Sequence, residues 1–324
     1  MIINTLIIGL GNVGMIYDNP KNPKLIQSHA KSLSLHPNFN LMAGIDPVLE
    51  KRNLFEKTYK KIAFKSINDF KNESQINSKI DLIIISTPTE THLKVIEESL
   101  DIFNPKAILC EKPLSYNYED AEKIIRICDD FNVDIFVNYM RRCDPGVIEI
   151  KNKLDRNIIK NPLKGNCWYS KGLYNNGSHF INLLEFWLGN YKKLKIIDKG
   201  RSFNSKDIEP EFFIEFEKGS IIFRSAWEEH FSFYNIELIS ESGLLKYRKG
   251  GEQINLYKVE NDKRYFGYKN IGNKEYNIKS EMEIYQYNVL EEISKNFLGK
   301  YTTICKGKEA LRTQKIIYLI SKNL

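Results

Sequence analysis

Three glycines in the segment GLGNVG, Gly9, Gly11 and Gly14, carry the first chemistry in this chain. At that spacing the first glycine permits a tight turn, the second lets backbone approach a phosphate, and the third lets a helix pack closely on a strand. With Asn12 and Val13 between them they form a bed for a dinucleotide pyrophosphate, placed at a helix start where N–H groups and the dipole favour negative charge. Asp46, in AGIDP, is the acid expected after the second strand. It would accept hydrogen bonds from adenosine ribose hydroxyls and repel a 2′-phosphate, favouring NAD. Lys51 and Arg52 lie close enough in sequence to tolerate that phosphate, which leaves NADP open. Gly14 and Asp46 are separated by more than the roughly 20 residues usual in such units. The excess is the segment Tyr17–Gln27, whose Pro20 and Pro23 cannot sit inside a helix. It reads as an excursion near the start of the first helix, reaching over a ligand or lying on the surface.

Further along, Ser86, Thr87, Pro88 and Thr89 follow an apolar run and are succeeded by His92. In an open parallel sheet, ligands bind outside the carboxyl ends of strands, so this loop is expected on the nicotinamide-ribose side. His92 is either a neighbour of the helix cap or a ligand contact. Glu111 and Lys112 follow the next strand, in CEKPLS. A lysine at that place can hydrogen-bond a substrate hydroxyl or carbonyl and stabilise developing negative charge. Asn175 and His179 stand four apart in NNGSH, a spacing that puts both on one face at a helix start. A histidine of near-neutral pKa can take a hydroxyl proton, whereas an asparagine can orient a substrate without exchanging protons.

Taken together, GLGNVG, IDP, STPTETH, EKP, VNYMRR and NNGSH resemble the Gfo/Idh/MocA family of NAD(P)-dependent oxidoreductases, over essentially the whole chain through the closing EALRTQKIIYLI. The resemblance implies that Lys112 contacts nicotinamide and substrate. The family's second signature runs approximately D-x-G-x-H; Gly177 and His179 match it, and Asn175 replaces the aspartate. That departure puts a Lys–Asp–His mechanism in doubt and leaves a Lys–His one open. Asn138, Arg141 and Arg142 fall where the family carries polar residues entering its second domain, with Asn138 assigned to the cofactor. Arg141 or Arg142 would bind a substrate carboxylate or phosphate through the planar guanidinium fork, or form a salt bridge. A sugar, cyclitol or nucleotide sugar is the implied substrate. Two other readings stay open: a weakly catalytic binding protein, and an enzyme that uses bound NAD transiently for elimination or epimerisation. The resemblance also implies a homodimer or homotetramer formed through the second-domain sheet.

The elements that must position these residues fall into two regimes. Up to residue 142, β-branched strands alternate with helical patterns, which predicts a doubly wound parallel sheet of Rossmann type. The strands are Asn4–Ile8, Leu41–Ile45, Asp81–Ser86, Ala107–Cys110 and Val133–Asn138, and helices are expected at Ser28–Leu35, Thr91–Leu100 and Tyr118–Asp130. From 143 to 324 one helix, Ser178–Leu188, precedes alternating strands with turns near Lys218-Gly219, Ser242-Gly243 and Gly250-Gly251, an α+β domain with a large, mostly antiparallel open sheet. Helices Glu281–Phe297 and Gly307–Leu324 close it, the last placed to pack back on the first domain. Trp168, Tyr169, Tyr174 and Trp227 could face a sugar, but aromatics in a sheet domain are more often core, as is His230.

At 324 residues the chain suits two domains, with 42% hydrophobic residues to fill them. A net charge of +7 comes from lysines spread along the sequence and offset by 41 acids, so no basic stripe suggests nucleic acid. No apolar run reaches the roughly 18 residues of a membrane span. Five scattered cysteines without a C-x-x-C pair point to reduced thiols and to no metal site. The apolar MIINTLIIGLG lacks a basic region and cleavage site and reads as a first strand, so a cytoplasmic location is expected.

Overall fold

The computed structural model describes residues 1–18, 22–73, 79–204, 207–226 and 230–324. They divide into two compact units, one of Met1–Cys143 with Glu283–Gln314 and one of Asp144–Met282 with Lys315–Leu324.

In the first unit, β1 (Ile3–Ile8), α1 (His29–Leu35), β2 (Phe39–Ile45), α2 (Leu49–Tyr59), β3 (Ala63–Phe64) and α3 (Ile67–Glu73) make the first half of a sheet. Next come β4 (Leu82–Ile85), α4 (His92–Phe103), β5 (Ala107–Cys110), α5 (Tyr118–Asp130) and β6 (Asp134–Val137). The strands pair in the order β3-β2-β1-β4-β5-β6, all parallel. The order reverses between β1 and β4, which makes the loops after these two strands the place where a crevice opens. Strands such as LIII at 82–85 are wholly buried because helices cover both faces. One face of the sheet packs Leu6, Ile8, Ile83 and Ile85 with Ile96 and Ile124. The other packs Ile3, Ile7, Leu82 and Leu109 with Leu33 and Phe55.

The second unit contains α6 (Pro145–Asp155), β7 (Leu163–Tyr169), α7 (Ser178–Leu188), β8 (Tyr191–Asn204), β9 (Asp207–Phe216), β10 (Gly219–Ser225), β11 (Asn235–Ser240), β12 (Gly243–Arg248), β13 (Gln253–Asn261) and β14 (Lys269–Ile278). Its sheet runs β14-β13-β12-β11-β7-β10-β9-β8, antiparallel except for the β7–β10 pair. Helix α7 lays Phe180, Leu183, Leu184 and Trp187 against Phe212, Phe223 and Ile236 of the sheet. The chain ends in α8 (Tyr285–Phe297) and α9 (Gly307–Lys322).

The fold class is that expected from the sequence, but the chain's division is not a single cut after residue 142. Helix α8 belongs to the first unit, because its Val289, Leu290 and Ile293, with Ile304 beyond it, complete the core around Ile3, Ile7 and Leu82. The last helix is split: residues to Gln314 belong to the first unit and residues from Lys315 to the second. All five cysteines are buried and reduced. Among the described residues, no helix is long and apolar enough to cross a membrane and no group of three or more acids, histidines and cysteines could hold a metal.

Candidate functional site

The glycine loop leaves β1 and turns where the sheet order reverses. Gly9 has φ +99°, a conformation that side-chain-bearing residues rarely adopt, and a Cβ there would meet the Ser86 carbonyl carbon at 2.6 Å. A Cβ on Gly14 would lie 2.1 Å from the Gly9 carbonyl oxygen, so the chain doubles back on itself only because both positions are bare. Gly11 differs: a Cβ there would meet nothing within 4 Å. Its open side is the space a pyrophosphate would take. Ser86 holds the turn shut, its hydroxyl donating to the Gly9 carbonyl at 2.7 Å. Asn12–Ile16 then makes one wide turn, with the Ile16 and Tyr17 N–H groups bonding back to Gly11 and Asn12. The regular helix starts only at His29, so Tyr17–Gln27 parts the first turn from α1, as its prolines require; Asn19, Pro20 and Lys21 lie outside the described residues.

Asp46 is buried at the end of β2 and fixed from both sides. Its Oδ2 accepts the Leu10 N–H at 2.8 Å and its Oδ1 the Val48 N–H at 2.9 Å. Oδ1 keeps a further lone pair for a ribose hydroxyl. Lys51 Nζ stands 3.5 Å from the same carboxylate, while Arg52 Nη1 donates to the carbonyls of Asp46 and Pro47. The open side of Gly11 and the fixed carboxylate together fit a dinucleotide.

On the other side of the reversal, Thr87 and Thr89 are half-buried and Pro88 is exposed. The Thr91 hydroxyl ties to the Thr87 hydroxyl at 2.8 Å and to the Pro88 carbonyl at 2.7 Å. His92 opens α4. It is buried, with Nδ1 3.1 Å from the Leu114 carbonyl and Nε2 3.1 Å from the Thr87 carbonyl. Burial lowers its pKa against the pull of those carbonyls. The neutral ring has one N–H to donate and lies packed between the Thr87 loop and the loop that carries Lys112.

Glu111 leaves β5 with little exposure, and its Oε1 receives His29 Nε2 at 2.8 Å and Asn138 Nδ2 at 2.6 Å. Burial alone would raise its pKa. The hydrogen bond and charge of His29, the Asn138 amide and the charge of Lys112 outweigh that and hold it below the usual value. The carboxylate is therefore ionised next to Lys112, which is half-buried and joined to Pro113 by a cis peptide. Asn138 also donates to Gln286 Oε1 at 3.2 Å, so its amide serves Glu111. Neither His29 nor Gln286 was visible as a functional residue in the sequence.

Arg141 and Arg142 are both buried in the first unit. Arg142 Nη2 forms a salt bridge with Glu309 Oε1 at 2.8 Å, within that unit, which favours the salt-bridge alternative for this residue.

In the second unit, Asn175 lies on a five-residue turn, Leu173–Gly177, and His179 on α7 behind it. Four-residue spacing does not give them like environments: His179 is buried and the Asn175 side chain is exposed. The turn is held by a residue the sequence did not single out. Asp207, at the start of β9, accepts the N–H of Tyr174 and of its own neighbour Ile208 at Oδ1 and that of Asn175 at Oδ2, each at 2.9 Å. Gly172 has φ +86°, and a Cβ there would collide with that carboxylate at 2.1 Å. Burial raises the Asp207 pKa despite these N–H donors. Behind it Glu209, wholly buried, accepts Arg201 Nε at 3.0 Å and the Gly172 N–H at 3.2 Å. Asp207→Asn leaves one acceptor oxygen and turns an amide toward a backbone N–H. It is expected to cost about 1–2 kcal/mol of stability, the scale of a lost cap, and to lower kcat while NADH affinity stays unchanged. Calorimetry and NADH fluorescence titration check this.

Of the aromatics considered for a sugar face, Tyr169 is core and donates to the Pro210 carbonyl, Tyr174 is half-buried beside Ser321, and Trp168 is part-exposed against Phe233. Trp227 lies outside the described residues, and His230 is exposed.

Residues 3–139 match the family described as the GFO_IDH_MocA oxidoreductase family, NAD-binding Rossmann fold. That match spans under half of the chain and gives the amino-terminal unit the NAD-binding Rossmann fold of this family. Among curated relatives, a D-xylose 1-dehydrogenase [NADP(+)] of Haloarcula marismortui is 34% identical over 83 residues, 26% of this chain and 22% of the relative. A scyllo-inositol 2-dehydrogenase (NAD(+)) of Bacillus subtilis is 26% identical over 162 residues, 50% of this chain and 42% of the relative. The chain thus matches less than half the length of each. Solved structures extend the likeness in fold to the second unit. An aldose-aldose oxidoreductase from Caulobacter crescentus, complexed with glycerol, has a TM-score of 0.78 at 13% identity and covers 99% of this chain and 97% of its own. The WlbA dehydrogenase from Bordetella pertussis, in complex with NADH and UDP-GlcNAcA, has a TM-score of 0.74 at 15% identity over 99% and 95%.

Proposed function

We propose that this chain is an NAD(P)-dependent oxidoreductase of the Gfo/Idh/MocA type that moves a hydride between nicotinamide and a hydroxyl-bearing carbon of a cyclitol, sugar or nucleotide sugar. The observation that carries the reading is the open, glycine-lined turn beside the fixed Asp46 carboxylate, with Lys112 on the loop after β5 of the same sheet. The nicotinamide, when bound, supplies the hydride chemistry. Gly9, Gly11, Asn12, Val13 and Gly14 would receive the pyrophosphate, Asp46 the adenosine ribose, and Ser86–Thr89 the nicotinamide side. Lys112 donates a hydrogen bond to the reacting oxygen and stabilises charge developing there. His179 accepts the hydroxyl proton in oxidation and returns it in reduction. Asn175 hydrogen-bonds a hydroxyl without exchanging protons. NAD is the favoured cofactor, because Asp46 repels a 2′-phosphate, and Lys51 beside it leaves NADP usable. The xylose and inositol of the relatives' names and the UDP-GlcNAcA bound to the WlbA dehydrogenase support this substrate class.

The test is turnover followed at the NADH absorbance band with a panel of inositols, aldoses and UDP-sugars, with NAD and NADP run in parallel. Turnover on one class with a preference for NAD is expected. Tight NADH binding with no turnover on any of them would favour the second reading, a weakly catalytic sensor of NAD or sugar nucleotides, which the asparagine at 175 motivates. Bound NAD that survives purification would favour transient use of the cofactor. A cytoplasmic homodimer or homotetramer associating through the open sheet of the second unit is part of the same proposal. A monomer by light scattering at micromolar concentration would overturn that part.

A further inference from the structure

The excursion between the glycine loop and α1 has a definite anchorage. Asp18 accepts the Gln27 N–H at 2.9 Å and the Ser28 N–H at 3.1 Å, and takes the Ser28 hydroxyl as well, so the chain that departs at Tyr17 is brought back to its starting point. The return is tied to the start of α8. The Ile26 N–H donates to the Glu283 carbonyl at 3.0 Å, the Gln286 N–H to the Ile26 carbonyl at 3.4 Å, and the Tyr285 hydroxyl to the Gln27 carbonyl at 2.9 Å. Ser28 then caps α1 through the Lys31 N–H. The first residue of that helix, His29, is 1% exposed and reaches Glu111.

These bonds close a ring inside the first unit. Glu111 Oε1 holds His29; His29 follows the pinned Ile26–Ser28 main chain; that chain holds Gln286; Gln286 holds Asn138; and Asn138 returns to Glu111 Oε1. Two donors converging on one carboxylate oxygen leave the Glu111 side chain a single orientation. The next Cα, that of Lys112, is about 3.8 Å away along a trans peptide, so the ring also places the lysine. A buried pair of this kind is a poor device for stability alone, since well-packed apolar side chains commonly do as well. Its distinctive product is geometry.

We propose that His29 is a positioning residue for Lys112, held on Glu111 by the anchored excursion that precedes α1. The proposal rests on the oxidoreductase reading only in giving Lys112 a catalytic role; the placement itself can be read without a substrate. In the full-length protein, His29→Ala is expected to expose Lys112 and raise its acylation by N-hydroxysuccinimide acetate about threefold or more relative to the other lysines, measured by peptide mass spectrometry. Misplacement by an ångström costs catalysis about 100-fold. A fall in kcat of about 10- to 100-fold is therefore expected on whichever sugar or inositol the parent turns over, with NADH affinity unchanged. His29→Gln, which keeps a donor at similar reach, should restore both readouts. If His29→Ala does not fold, His29→Asn carries the test, because its shorter amide falls short of Glu111 and should give the same labelling shift. A folded His29→Ala or His29→Asn protein with parental Lys112 labelling overturns the proposal. A shifted labelling pattern in a protein whose parent turns over no substrate upholds the placement and removes the oxidoreductase reading.

Discussion

Gly14→Ala is expected to weaken NADH binding by about 10- to 100-fold and to destabilise the first unit, whereas Gly11→Ala should lose binding with no loss of stability. The contrast follows from what each new methyl group meets. At position 14 the Cβ would lie 2.1 Å from the Gly9 carbonyl oxygen and 3.0 Å from Ser86 Oγ, so backbone on both sides of the turn must move. Overpacking of this kind costs about 1–3 kcal/mol of stability, and a displaced turn no longer aims its N–H groups at a pyrophosphate, a lost contact set worth about 1.4 kcal/mol for each tenfold in affinity. At position 11 the methyl meets no protein atom within 4 Å, and the φ of −78° is one alanine adopts freely. It would stand where the pyrophosphate is proposed to lie. Thermal unfolding and NADH fluorescence titration separate the two effects. Parental NADH affinity in Gly11→Ala would remove the phosphate from this turn.

Lys112→Ala is expected to lower kcat by about 100- to 10,000-fold, the range for a proton-handling or charge-stabilising group, with NADH affinity changed by no more than a few-fold. The lysine follows directly on Glu111, whose carboxylate is held ionised by His29 and Asn138. The local field therefore favours a positive ammonium at position 112. Lys112→Arg should not restore the rate, because a planar fork does not replace a compact ammonium of different reach. Steady-state kinetics on the substrate found in the panel measures the loss. Near-parental kcat in either variant would withdraw Lys112 from the chemistry.

Legibility in the sequence tracked how local each signal was. Five strands of the first sheet announced themselves as β-branched runs, and the glycine turn, Asp46 and Lys112 could be placed because each sits at the end of one of them. Strand β3 has two residues and no periodicity to read. In the second unit, β7 and α6 went unassigned. The β7 segment LKGNCWY carries Gly165, kept bare because a Cβ would meet the Glu237 carbonyl oxygen at 2.0 Å, and its parallel pairing with β10 joins segments far apart in sequence. Helix α6 did carry a local signal in Asp144-Pro145, a cap followed by a proline at the first helical position. The supports of the candidate site were the least visible. His29 and Glu111 are 82 residues apart, Asn138 and Gln286 are 148 apart, and Asp207 holds a turn 32 residues before it. Their side chains announce polarity and nothing about partners.

The return of residues 283–314 to the first unit bears on how a ribosome delivers this protein. The amino-terminal sheet emerges early, yet one of its faces lacks Val289, Leu290, Ile293 and Ile304 until the whole second unit has been translated. At about 5–20 residues per second, the delay is on the order of ten seconds. During that interval an apolar sheet surface stands uncovered on the nascent chain, a window in which chaperones would find a binding surface that the finished protein no longer offers.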